Sequence, residues 1–183
     1  MKKKSYLCTR LNEGTRQGSL SLYKNMITKE QIQSLVEQHL QGSDYSLQRL
    51  EIDKENNILV EIDRLGTVDV DVCAELNQYL VGELDKAGAG DYALEVGSVS
   101  LTDPFISVIQ YQKHLGDEVE VMVKTQGQST KYKGQLISVD EETFAIEVEV
   151  MVLPEGKKRR VKELQTLTFR YDEVIYTKYN LKF

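Results

Sequence analysis

The sequence predicts an α+β protein in two modules, an α-β-β-α-β domain followed by a small five-stranded antiparallel β-barrel. Three observations carry this expectation. Two stretches, near residues 28–41 and 69–85, repeat their apolar residues at helical spacing. The segments around them, and the chain from Gly116 onward, alternate apolar and polar with a period of two. Between the two patterns lies Gly97–Pro104 (GSVSLTDP), where periodicity stops at one of the chain's two prolines. At 183 residues, 40% hydrophobic and 28% charged, the chain can bury two modest cores and is too apolar for a disordered polymer.

Residues 1–25 lack helical or strand periodicity and read as a basic disordered leader, with Met26 a candidate natural start directly before the first helix. Thr28 and Gln31 have the spacing of a capping box. Ile32, Leu35, Val36, His39 and Leu40 then share one helical face, and Gly42 stops the helix. Tyr45–Ile52 and Ile58–Ile62 flank the turn-rich Asp53–Asn57 as a hairpin. A second helix spans Asp69–Asp85, with Val72, Cys73, Leu76, Tyr79, Leu80 and Leu84 on its apolar face. Tyr92, Leu94 and Val96 alternate as a third strand, giving a three-stranded sheet with two helices on one face. The acidic α+β domain is thus expected over 26–102, and a hinge and connector over 103–115.

The barrel is expected over 116–183. Its strands are Glu118–Lys124, Lys131–Asp140, Thr143–Leu153, Lys158–Leu167 and Val174–Phe183, separated by Gly127, Asp140–Glu142, Pro154–Gly156 and Tyr171–Glu173. Five short strands in about seventy residues fit a small closed barrel of SH3-like or Sm-like type. The string EVEVMV occurs at 118–123 and again at 147–152. The likeness extends no further, so it marks two strands meeting the same half-buried demand.

The net charge of −6 conceals a segregation. Residues 1–25 carry six Lys/Arg against one acid, 26–112 carry five against sixteen, and 113–183 carry twelve of each. An acidic module does not hold a phosphate backbone, but it can steer toward a basic protein. No apolar run reaches the ~18 residues of a membrane helix, and the N-terminus lacks the apolar core of a secretory signal. Cys8 and Cys73 make neither a zinc framework nor a disulfide scaffold, which fits a reducing cytoplasm.

The sequence offers little catalytic chemistry. His39 and His114 are isolated from an orienting partner in sequence, and Cys73 sits on a buried helical face. Asp63, Asp69, Asp71 and Glu75 can be drawn as a magnesium site, but acids at a helix N-terminus also complement the helix dipole. Phosphate-binding glycine loops and nucleophile elbows are missing from the sequence. No cofactor, metal or catalytic residue is therefore expected, and the chain reads as a non-enzyme. The stronger signal is basic: Lys157, Lys158, Arg159 and Arg160 in one turn, Lys162 after it, Lys131 and Lys133 in another strand, and Lys124 ending a third. Cations clustered on hairpins of a small β-fold suit RNA phosphates, and Tyr132 either stacks beside Lys131 and Lys133 or packs in the core.

The layout resembles the ribosome maturation factor RimP family. YALEVGSVSLTDPF (92–105) lies where that family has a strand running into E-V-S-S-x-G-L-x-x-P-[LF]. QYQKHLGDEVEV (110–121) is similar to the connector into the first barrel strand, FRYDEVIYTKYNLKF (169–183) to the terminal strand, and VDVDVCAELNQYL (68–80) to the second helix. Gly97-Ser98 stands where the family has Ser-Ser, and Ser100 where it has glycine; with Pro104 they mark the hinge. The likeness covers residues 26–183. It implies a monomeric cytoplasmic assembly factor that binds the immature small (30S) ribosomal subunit, its rRNA and a basic small-subunit ribosomal protein, with no membrane or small-molecule substrate. The alternative is a stand-alone Sm-like or SH3-like RNA-binding regulator.

Overall fold

The computed structural model describes residues 6–9 (backbone), 28–125, 127–153, 159 and 161–181. Helix α1 (Lys29–Leu40) begins where its capping residues place it. Thr28 Oγ1 accepts from Gln31 N at 3.3 Å, and Gln31 Oε1 accepts from Thr28 N at 2.9 Å, so two orphan donors are satisfied reciprocally. Ile32, Val36 and Leu40 are buried, one turn apart. Gly42 follows with φ +83°, a left-handed conformation suited to glycine.

Strands β2 (Ser46–Ile52) and β3 (Asn57–Asp63) form the expected antiparallel hairpin. The Asp53 carboxylate closes its loop by accepting from Glu55 N, Asn57 N and Asn57 Nδ2 at 2.6–2.9 Å. Asn56 takes φ +60°, which its short polar side chain tolerates. Helix α2 (Val70–Ala87) is capped by Asp69 and ends at left-handed Gly88. The chain returns as β4 (Ala93–Ser98), parallel to β3, the arrangement a helical crossover permits. Ile58, Val60, Ile62, Leu94 and Val96 pack against Leu76, Leu80, Leu84 and the α1 residues in one core.

The first sheet has four strands, not three. Tyr6–Thr9, inside the stretch expected to be a disordered leader, forms β1 and pairs antiparallel with β4, giving the order β1-β4-β3-β2. Four residues are too few to register as periodic in sequence. The pairing covers a β4 edge whose backbone groups would otherwise be bare.

The chain divides into two compact units, Met1–Val99 and Ser100–Phe183. In the second, Phe105 and the short helix α3 (Val108–Lys113) pack into the same core as the strands that follow. These are β5 (Glu118–Thr125), β6 (Gln128–Val139), β7 (Thr143–Val152), β8 (Val161–Arg170) and, after a 3-10 turn at Tyr171–Glu173, β9 (Val174–Tyr179). Phe144 is fully buried at the centre of a ring cluster, 4.8 Å from Tyr111, 5.5 Å from Tyr171 and 5.6 Å from Phe169.

The five strands form one antiparallel sheet in the order β8-β7-β6-β5-β9. A closed barrel was the expectation, but no hydrogen-bonded ladder joins β8 to β9 among the described residues. The physical reason lies at the β9 edge. The 3-10 turn carries the chain from β8 across to pair with β5, and Phe105 N donates to Thr177 O at 2.7 Å, taking a backbone position on β9.

Candidate nucleic-acid interface

The candidate site grows from the alternation of β5. Val119, Val121 and Val123 enter the core, so Glu118, Glu120, Met122 and Lys124 face the other way. The ladders then fix their neighbours. Glu120 lies opposite Lys133 on β6 and Lys178 on β9, while Met122 lies opposite Lys131 and Tyr176. Directly opposed residues share a sheet face. Lys131, Lys133, Lys178 and Tyr176 therefore surround one carboxylate across three adjacent strands.

The contacts are short. Glu120 Oε1 accepts from Tyr176 OH at 2.9 Å and lies 3.0 Å from Lys131 Nζ and 3.7 Å from Lys178 Nζ. Glu120 Oε2 lies 3.5 Å from Lys133 Nζ. The Glu120 side chain is only 7% exposed, whereas those of Lys131, Lys133 and Lys178 are 47%, 54% and 39% exposed. The lysine side chains cover the carboxylate while staying half-exposed themselves. The Lys131 hydrogen bond first, then that from Tyr176, with the charges of Lys131 and Lys178, holds the Glu120 carboxyl down at about 2 against the opposing effect of burial. The same hydrogen bond raises Lys131. Lys178 Nζ also lies 5.3 Å from the Tyr176 ring centre, and Lys133 Nζ donates to Asn180 Oδ1 at 3.4 Å.

The sequence-predicted cations divide. Lys131 and Lys133 converge on Glu120, and Lys124 is exposed on that same face of β5. Lys162 lies on β8, at the other end of the sheet order, and pairs with Glu149 at 2.5 Å. Arg159 is exposed. Lys157, Lys158 and Arg160 lie outside the described residues. Tyr132 does not stack beside the lysines. It sits opposite Val121 on the core face, its ring 5.5 Å from Phe169, because putting Lys131 and Lys133 outward turns the residue between them inward. Sequence reasoning missed Glu120, Tyr176 and Lys178. The alternation of β9 puts Tyr176 and Lys178 on one face, but only the β5–β9 register joins that face to Lys131 and Lys133.

Candidates for other chemistry resolve into structural roles. His114 stacks between Phe105 and Tyr179, with Nδ1 2.9 Å from Asp117, and His39 stacks on Tyr79. Cys73 is buried, and burial followed by the nearby Asp69 charge pushes its thiol up. Asp69 caps α2, and Asp63 is fully buried, accepting from Arg64 N at 2.9 Å. Among the described residues no three His, Cys, Asp or Glu converge as metal ligands, and no helix is long and apolar enough to cross a membrane.

The first unit is acidic. Glu51, Glu61 and Glu95 lie on the sheet face opposite the helices, with Arg49 3.4 Å from Glu61. Glu51, Asp53, Leu59 and Glu95 border a shallow cleft of about 300 Å³. Around the expected hinge, Gly97 and Ser98 are the last residues of β4, Ser100 Oγ lies 3.0 Å from Thr102 Oγ1, and Pro104 is exposed. Ser100 is not among the positive-φ residues, so serine sits there without strain.

Comparison with known proteins gives this arrangement a family. Residues 35–101 match the family model described as the RimP N-terminal domain. Two curated relatives, each named ribosome maturation factor RimP and from Porphyromonas gingivalis strains ATCC 33277 and W83, are 38% identical over 143 residues. Each alignment spans 78% of this chain and 91% of the relative. At that identity over that length, the chain belongs to the ribosome maturation factor RimP family.

Proposed function

We propose that this chain is a cytoplasmic, monomeric, non-enzymatic assembly factor that binds the immature small ribosomal subunit and leaves when maturation is complete. The single observation that carries the proposal is the outer face of β6, β5 and β9. There Lys131, Lys133, Lys178 and Tyr176 converge on Glu120, with Lys178 over the Tyr176 ring and Lys124 exposed on the same face, a combination of cations and an aromatic ring that suits an RNA backbone with exposed bases. In this reading the face meets rRNA, the basic run Lys157–Arg160 adds phosphate contacts, and the acidic first unit shields a basic ribosomal protein from premature RNA contact. Gly97, Ser98, Ser100 and Pro104 form the joint between the modules, and the second module is a partly open SH3-like fold.

Sedimentation of tagged protein through a sucrose gradient of lysate tests the proposal. Co-migration with free small subunits is expected, with none on full ribosomes or polysomes. The double variant Lys131→Glu/Lys133→Glu should move the protein toward the top of the gradient. Wild-type protein that stays at the top at every salt concentration defeats the proposal.

A further inference from the structure

Four donors converge on the Glu120 carboxylate, the ammonium groups of Lys131, Lys133 and Lys178 and the hydroxyl of Tyr176. Tyr176 OH, Lys131 Nζ and Lys178 Nζ gather on Oε1 at 2.9, 3.0 and 3.7 Å, and Lys133 Nζ lies 3.5 Å from Oε2. The anion is buried while the cations are half-exposed, which is the reverse of a rim salt bridge. To the lysines, Glu120 stands where a phosphate oxygen would stand. Its negative charge is fixed beneath the surface that an RNA strand would approach. An incoming phosphate meets three ammonium groups already partly neutralised from below.

We infer that Glu120 is an internal counter-ion that attenuates RNA binding by the β6–β5–β9 face. This rests on the proposed rRNA contact and deepens it. Stray single strands, which offer phosphates one at a time, gain little from lysines that already hold an anion. A folded RNA that presents several phosphates together engages the whole face and is favoured over them. Glu120 thus sets selectivity by lowering affinity for the wrong RNA, while keeping the lysine side chains gathered for the right one.

The test is fluorescence anisotropy of a fluorescein-labelled single-stranded oligo(U) 20-mer, titrated with the full chain at several salt concentrations. Glu120→Gln keeps an acceptor for the lysines and removes the charge. It should bind about fivefold tighter at 50 mM salt, and its slope of log affinity against log salt should steepen by about 0.7 for each phosphate newly engaged. Glu141→Gln, in the exposed turn after β6, makes the same change in net charge elsewhere and should leave the slope as in wild type. Adding Lys131→Gln to Glu120→Gln should return the affinity toward the wild-type value. Equal tightening by Glu120→Gln and Glu141→Gln overturns the inference, because only net charge would then matter. Unchanged or weaker binding by folded Glu120→Gln overturns it as well. If Glu120→Gln melts below the assay temperature, Glu120→Asp decides; its retracted carboxylate should tighten binding about twofold, and no tightening overturns the inference. Wild type and Glu120→Gln both failing to bind at 20 mM salt overturns the inference, whereas wild-type protein that never co-migrates with small subunits in the sucrose gradient refutes the RNA-interface reading itself.

Discussion

The Glu120 cluster carries a stability signature that can be read without any partner. The carboxyl ordinarily titrates near 4.5 and is held at about 2 in the folded chain. A folded value below the unfolded one stabilises the native state fully above pH 4.5, and that stabilisation is lost as the pH falls toward 2. Taken whole, a shift of this size corresponds to about 3 kcal/mol. The three lysines are each more than a third exposed, so water and salt screen the interaction and about 1–2 kcal/mol is the expected contribution. Most of that should be gone by pH 3. The assay is urea unfolding of wild type and Glu120→Gln at pH 7, 5 and 3, urea being chosen because it adds no ions. The free-energy gap between the two proteins should be nearly the same at pH 7 and pH 5 and shrink by about 1 kcal/mol at pH 3. A gap that does not change between pH 7 and pH 3 would refute the assignment of Glu120 as an ionised, lysine-held carboxylate.

Four further substitutions test the framework of the two units. At Gly134 on β6 a Cβ would lie 2.3 Å from Glu147 O, a backbone atom of the paired strand, so Gly134→Ala must part β6 from β7 and cost more than about 3 kcal/mol by thermal unfolding. Gly97→Ala in β4 meets nothing within 4 Å and should be neutral or stabilising by about 0.5 kcal/mol in the same melt. Phe144→Ala should cost about 3–5 kcal/mol in urea unfolding, because Tyr111, Phe169 and Tyr171 all lean on a ring with no exposed surface. Thr28→Ala removes the α1 cap and should cost about 1 kcal/mol, with Gln31 unable to complete the exchange alone.

What the sequence made legible was whatever depends on local chemistry. The Thr28–Gln31 box, the Asp53 turn, the Gly88 stop and the alternation of β5 and β7 are each settled within a few residues, and each stands where the residues placed it. Pairing partners were less legible. Nothing local in Tyr6–Thr9 announces a strand, since its stabilisation comes from the β4 edge some eighty-five residues later. The open ends of the second sheet were hidden for the same reason. A strand count cannot say whether the last strand returns to the fourth or to the first, and among the described strands β9 pairs with β5.

The candidate site follows the same division, and this explains which of its members were found. Lysines at 131 and 133 stand out on a strand that is otherwise half-buried, so their exposure could be read from β6 by itself. Their counter-ion could not. Glu120 looked like one more outward acid in an alternating strand, and its burial arises because β6 and β9 each bring lysines to the same rung. A slip of one residue in either ladder would send Lys133 or Lys178 to the core face and leave Glu120 in water. The valines at 119, 121 and 123 forbid that slip, since they would leave the core together. Hydrophobic alternation thus sets the electrostatics of the face: the apolar side of β5 fixes the register, and the register assembles the charge cluster on the polar side.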